Sequence, residues 1–87
     1  MTNEKELHSQ IRNFVIESFL MGDAASMLPD QESFLESGTI DSTGVLEVVT
    51  WLEETFNIKV EDTDLVPENL DSVQNLAKYI QRKSHAP

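Results

Sequence analysis

The chain has 87 residues and a formal net charge of −10, from 16 acids and 6 bases. A chain this short buries only about 60% of its unfolded surface, which leaves little room for both a core and a deep catalytic cavity. Its 39% hydrophobic content is too high for a wholly disordered chain, its acidity opposes nucleic acid and anionic lipid, and without cysteine it can form neither a disulfide nor a thiolate metal site. The opening residues contain no apolar signal region, and no apolar run approaches the roughly 20 residues that span a bilayer. The expectation is one soluble, cytoplasmic domain over residues 1–87, with its core at about 4–83 and no membrane partner.

A first helix is predicted from about Glu4 to Leu20. Leu7, Ile11, Phe14, Val15 and Ile16 recur at helical spacing, Glu4 and Glu6 suit the first turn, and Gly22 is a stop. Residues 22–41 read as a long loop broken by Gly22, Pro29 and Gly38. Met27, Leu28, Phe34, Leu35 and Ile40 are too apolar for a free linker and are expected to pin this loop onto the core. A loop this long in a small domain is functional or misassigned. Here it delivers the chain to Asp41 and Ser42.

A second helix is predicted from about Ser42 to Phe56. Val45, Val48, Val49, Leu52 and Phe56 form its inward stripe, with Thr43, Glu47, Thr50 and Glu54 opposite and Trp51 near the edge of the outward face. Asn57 is its C-terminal stop. Ile58 and Val60 allow a brief extended stretch, and Pro67 limits residues 64–70 to a short helix or turn. The last helix is expected to start at Asp71, as N-cap, with Gln74 reaching back. Val73, Leu76, Ala77 and Ile80 make its stripe; Ser84 to Pro87 reads as a frayed tail. The sum is an all-α fold of three main helices and one short one.

The usual catalytic patterns are missing. A Gly-x-Ser-x-Gly elbow around Ser42 needs glycine where the chain has Ile40. His8 and His85 lie near the two ends and read as surface residues, which argues against a triad. Asp62 and Asp64 begin like a calcium loop but lack its glycine. No catalytic residue and no metal site are assigned. Charge is nevertheless concentrated: residues 41–71 hold nine acids against the single base Lys59. That pattern suits an acidic docking face for basic partners. Ser42 stands at the junction of loop and helix, where a phosphate would meet the positive end of the helix dipole and the free N–H groups of the first turn. Small Thr43 and Gly44 leave room for a partner. On spacing alone, a serine at a helix start is most often an N-cap.

Phe34-Leu35-Glu36-Ser37-Gly38-Thr39-Ile40-Asp41-Ser42, then Leu46-Glu47-Val48-Val49, Leu52-Glu53-Glu54-Thr55-Phe56 and Pro67-Glu68-Asn69-Leu70-Asp71-Ser72-Val73 resemble the acyl carrier protein family. The similarity runs from about Leu7 to Arg82. It implies a four-helix acyl-carrier-protein-like bundle and 4′-phosphopantetheine esterified to Ser42, beside Asp41, by a separate phosphopantetheinyl transferase. The chain would then be a carrier, not an enzyme, holding acyl groups as thioesters for fatty acid, polyketide or specialised acyl biosynthesis. The resemblance also implies docking by Asp41, Glu47, Glu53 and Glu54 onto basic patches of acyl ligases and synthases, with the carrier a monomer between encounters.

Two positions depart from the family pattern: Thr43 stands where leucine usually follows the serine, and outward Thr50 is polar, with Trp51 alongside. Thr43 and Trp51 therefore join the partner-reading surface, and Trp51 equally suits a packing role. These departures point to a free-standing specialised carrier served by a dedicated ligase. An aminoacyl or peptidyl carrier is the alternative within the family. Outside it stands an acidic helical adaptor without a prosthetic group.

Overall fold

The computed structural model describes residues 4–85, and the side chains of 5–84. Leu7, Ile11 and Val15, each four residues apart, bury one stripe of α1 (Glu4–Phe19). The expected stop at Gly22 is a turn in which Met21 and Gly22 both take left-handed backbone, with the Ile16 carbonyl accepting the Gly22 N–H. A glycine is suited to that conformation; Met21 adopts it at some steric cost.

The loop expected over residues 22–41 contains structure that periodicity does not announce. A 3₁₀ turn spans Ala24–Ser26, and a one-turn helix, α2 (Phe34–Ser37), precedes the site. Ser33 caps α2 by accepting the Glu36 N–H, and Gly38 closes it in left-handed conformation. Phe34 and Ile40 are buried as expected, and Met27 and Leu28 are half-buried. Leu35 is the exception: it is 44% exposed and lines a surface cleft instead of entering the core.

α3 (Gly44–Phe56) ends at Asn57, as expected, in left-handed backbone. After it come a 3₁₀ turn at Asp62–Asp64 and α4 (Pro67–Leu70), which has Pro67 in its first turn. α5 (Val73–His85) is the hub, packed on α1, α3 and α4. Val73, Leu76, Ala77, Tyr79 and Ile80 all lie within the core. Ser84 and His85 are still helical, against the expected frayed tail; residues 86–87 lie outside the described set.

The start of α5 differs from expectation. Ser72, not Asp71, supplies the side-chain cap, accepting the Asn75 N–H at 3.0 Å. The Asp71 carboxylate turns away to accept the Leu35 N–H at 3.0 Å and the Ser33 hydroxyl, while the Asp71 carbonyl accepts the Phe34 N–H. One acid near the end of the chain thus holds the helix that leads into the Ser42 segment.

His8 likewise departs from a plain surface role. It is half-buried, and its Nδ1–H donates to Asp30 at 2.6 Å. Arg12 donates to the other oxygen of Asp30 and to the Leu28 carbonyl. Burial alone would raise the Asp30 carboxyl, but the hydrogen bonds from His8 and Arg12 and the Arg12 charge outweigh it and hold it below its ordinary value. The Asp30 carbonyl accepts the Gln74 N–H, so this residue ties the loop to both α1 and α5. His85 as a surface side chain lies outside the described side chains. Among the described residues there is no strand, no helix long and apolar enough to cross a membrane, and no convergence of metal-binding side chains.

Candidate functional site: the loop entering α3

Asp41, not Ser42, caps α3. Its Oδ1 accepts the Gly44 N–H at 2.8 Å and its carbonyl accepts the Val45 N–H at 3.2 Å. The Thr43 carbonyl takes the Leu46 N–H. The helix therefore begins at Gly44, two residues later than expected. The Gly44, Val45 and Leu46 N–H groups are engaged, while those of Ser42 and Thr43 have no partner among the described residues, so an anion here meets both these donors and the dipole of α3. Ser42 is left exposed, and among the described residues nothing hydrogen-bonds its hydroxyl. The N-cap alternative for Ser42 thus fails: the neighbouring aspartate does that work and frees the serine.

Gly44 is small for a different reason from partner access. A Cβ there would stand 2.8 Å from a Phe19 ring carbon and 2.9 Å from an Ile40 methyl. The glycine lets the start of α3 close onto the end of α1 and the loop, which fixes where Asp41 and Ser42 emerge. Thr43 is exposed and makes no capping hydrogen bond.

The three α3 acids divide. Glu47 and Glu54 are exposed. Glu53 is half-buried, and its carboxylate accepts the Val60 N–H at 3.0 Å, bracing the chain after α3. It has a structural task that Glu47 and Glu54 lack. Thr50 donates its hydroxyl to the Leu46 carbonyl, so its polarity is spent on its own helix. Trp51 is half-buried, stacked on Phe14 of α1 at 4.4 Å and 11°, with Phe56 edge-on at 5.3 Å. That contact joins α1 to α3.

Sequence reasoning missed two features near the serine. Leu46, four residues beyond Ser42, is 64% exposed. Its place on the helix face that also carries Thr43, Glu47, Thr50 and Glu54 was the available signal. A cleft of about 100 Å³ is lined by Leu35, Val45, Leu65, Val66, Pro67 and Leu70, with Asp71 at its edge. These side chains come from four separate elements, and no local pattern connects them.

Residues 15–80 match the phosphopantetheine attachment site family, a span that contains the entire Asp41–Gly44 junction and most of the helical framework. The chain belongs to the phosphopantetheine carrier protein family. The acyl carrier protein of Bdellovibrio bacteriovorus is 28% identical over 80 residues, covering 92% of this chain and 97% of that protein. The D-alanyl carrier proteins of Streptococcus pyogenes serotypes M5 and M1 are each 32% identical over 79 residues, covering 87% of this chain and 98% of theirs. These relatives are carriers, and the cofactor of the family is covalent 4′-phosphopantetheine. The site fits that group. A phosphate ester needs an exposed hydroxyl with no competing intramolecular bond, on a backbone fixed by its neighbours, and Ser42 beside Asp41 offers both.

Proposed function

We propose that Ser42 Oγ is the attachment point of 4′-phosphopantetheine and that the chain carries acyl groups between enzymes without catalysing their chemistry. The observation that carries this is the capping swap: Asp41 satisfies the start of α3, so the serine hydroxyl faces solvent unbonded. When bound, the arm supplies a terminal thiol that holds an acyl group as a thioester. The chain's own residues present it. Asp41 and Gly44 fix the junction, the α3 dipole favours the phosphate charge, and exposed Glu47 and Glu54 offer charge to basic docking patches. A separate transferase using coenzyme A would install the arm, which sets the work in the cytoplasm. Intact mass after incubation with coenzyme A and a broad-specificity phosphopantetheinyl transferase tests this directly. The expected result is a gain of one phosphopantetheine that Ser42→Ala abolishes; a folded parent chain that gains nothing would sink the assignment.

A second reading for the cargo, an amino acid loaded by a dedicated ligase, is favoured by the size of the cleft. A cavity of about 150 Å³ takes one benzene-sized molecule. At about 100 Å³, the cleft suits a short acyl or aminoacyl group and would have to open for a long chain. The D-alanyl carriers among the relatives agree with small cargo. Each buried methylene contributes about 0.8 kcal/mol. An octanoyl load that enters the core should therefore raise Tm by several degrees. An alanyl load should leave Tm nearly unchanged. A rise with octanoyl supports a fatty acyl carrier; its absence supports small cargo.

A further inference from the structure

Among the described residues four acids are half-buried: Asp30, Glu53, Asp64 and Asp71. Asp30 is paired with His8 and Arg12, and Asp64 with Lys83. Glu53 braces the backbone after α3. Asp71 is placed differently. Its carboxylate has two neutral donors, the Leu35 N–H on one oxygen and the Ser33 hydroxyl on the other. No lysine, arginine or histidine pairs with it among the described residues. Yet it borders the cleft of about 100 Å³ whose other lining side chains are all apolar. One of them, Val45, follows Ser42 by three residues, so an arm rooted at the serine begins beside this cleft.

Holding α2 in place does not require a negative charge. An asparagine carbonyl would accept the Leu35 N–H in the same way. A carboxylate has about four acceptor positions, so two donors leave capacity on both oxygens. A neutral chain laid across this rim would strip water from a charged group and return no hydrogen bond. A small apolar group with a cation one carbon away satisfies wall and rim together, and the charge-assisted hydrogen bond it makes is a strong one. An α-aminoacyl thioester has that form: a short side chain, with an ammonium on the carbon next to the carbonyl. We propose that Asp71 selects the cargo of this chain, a small α-amino acid whose side chain enters the cleft and whose ammonium is held by the Asp71 carboxylate. The inference rests on the carrier assignment for Ser42 and decides between the two cargo classes that the cleft volume alone admits.

The test supplies the full chain with alanyl-coenzyme A or propionyl-coenzyme A and a broad-specificity phosphopantetheinyl transferase, which installs the loaded arm whole and needs no dedicated ligase. The two loads match in length and differ by the ammonium. Amide NMR follows the Leu35 N–H, which is bonded to Asp71, and a labelled alanyl methyl reports the titration of its amine. The Leu35 resonance should move with the alanyl load and stay in place with the propionyl load. The amine should titrate about one pH unit higher than in free alanyl-pantetheine, since a carboxylate beside it favours the charged form. Asp71→Asn should lose most of that rise. Glu17→Gln, which removes the same charge from the exposed face of α1, should keep it. Equal movement of Leu35 with both loads, an amine that titrates as in the free compound, or equal loss in both variants would overturn the proposal, the last by reducing the effect to overall charge. If Asp71→Asn does not fold, the comparison of the two loads on the parent chain decides alone. Intact mass separates the two levels of the argument. Uptake of both arms with no ammonium effect removes the cargo assignment and leaves the carrier standing, while a folded chain that takes up neither arm removes both.

Discussion

Asp41, Ser42 and Gly44 divide three tasks among neighbours: one caps, one is left exposed, and one allows close approach. Gly44 gives the sharpest prediction. Carbon atoms normally approach to about 3.5–4.0 Å. A methyl at Gly44 would stand 2.8 Å from Phe19 and 2.9 Å from Ile40, and Ile40 is only 2% exposed, with no free space to move into. Alanine gains at most about 1 kcal/mol in helix propensity over glycine, whereas overpacking costs about 1–3 kcal/mol. Gly44→Ala should therefore lower Tm by several degrees in a thermal melt. A higher Tm would mean that the half-buried Phe19 ring swings aside at no cost. The variant should still accept phosphopantetheine when folded, because Ser42 itself is untouched.

Between elements, fixed contacts are made by polar side chains far apart in sequence, and this sets what the sequence could reveal. The three long helices were legible because Leu7–Ile11–Val15, Val45–Val48–Leu52–Phe56 and Val73–Leu76–Ala77–Ile80 recur at helical spacing over about two turns or more. α2 was not, because a single turn carries no period. Its Ser33 and Glu36 signal sat inside what read as loop. The start of α5 was misplaced for a related reason: Asp71 looks like a local cap, but its carboxylate bonds a backbone N–H 36 residues away. At the site, the motif marked Ser42; the inward turn of Glu53 and the Phe14–Trp51 stack needed the packed helices. The latch between the Asp62–Asp64 turn and α5 was equally hidden. Buried Tyr79 donates to Asp64 at 2.8 Å, and Lys83 approaches the same oxygen at 3.4 Å. Burial first, and then the Asp64 hydrogen bond and charge, push the Tyr79 phenol well above its ordinary range. The folded state therefore holds that proton more tightly than the unfolded chain does. Its contribution is complete below about pH 10, the unfolded tyrosine value, and is lost as pH rises above it. Tyr79→Phe should lower Tm modestly at neutral pH and flatten the alkaline decline. Lysines titrate in the same window, so the quantity to compare is the difference between parent and variant melts from pH 8 to 11; parallel curves would show that the phenol contributes nothing.

Over the whole molecule, the acid excess does two opposing things. Part of it is structural: Asp41, Glu53 and Asp71 satisfy backbone N–H groups, and Asp64 ties a loop to α5. Exposed Glu47, Glu54, Asp62 and Glu68 take no such part, and they sit on a particle of only 38 × 26 × 21 Å. Such a field speeds encounters with basic partners, as a shuttle between enzymes requires, and it also repels itself. Screening lengths are about 8–10 Å at moderate salt, so neighbouring acids feel one another while opposite sides of the molecule barely do. Added salt weakens ion pairs as well, among the described residues Arg12 with Asp30 and Lys83 with Asp64. Part-exposed pairs of this kind are worth only about 0–1 kcal/mol each, less than the relief of repulsion across a net charge of −10. Tm should therefore rise with sodium chloride and rise further with magnesium chloride at equal ionic strength, since a divalent ion neutralises adjacent carboxylates more effectively than bulk screening does. Equal effects of the two salts would mean that the acids are dispersed. A fall in Tm would mean that the Asp30 and Asp64 ion pairs outweigh the repulsion, and that the cost of so acidic a surface is smaller than its charge suggests.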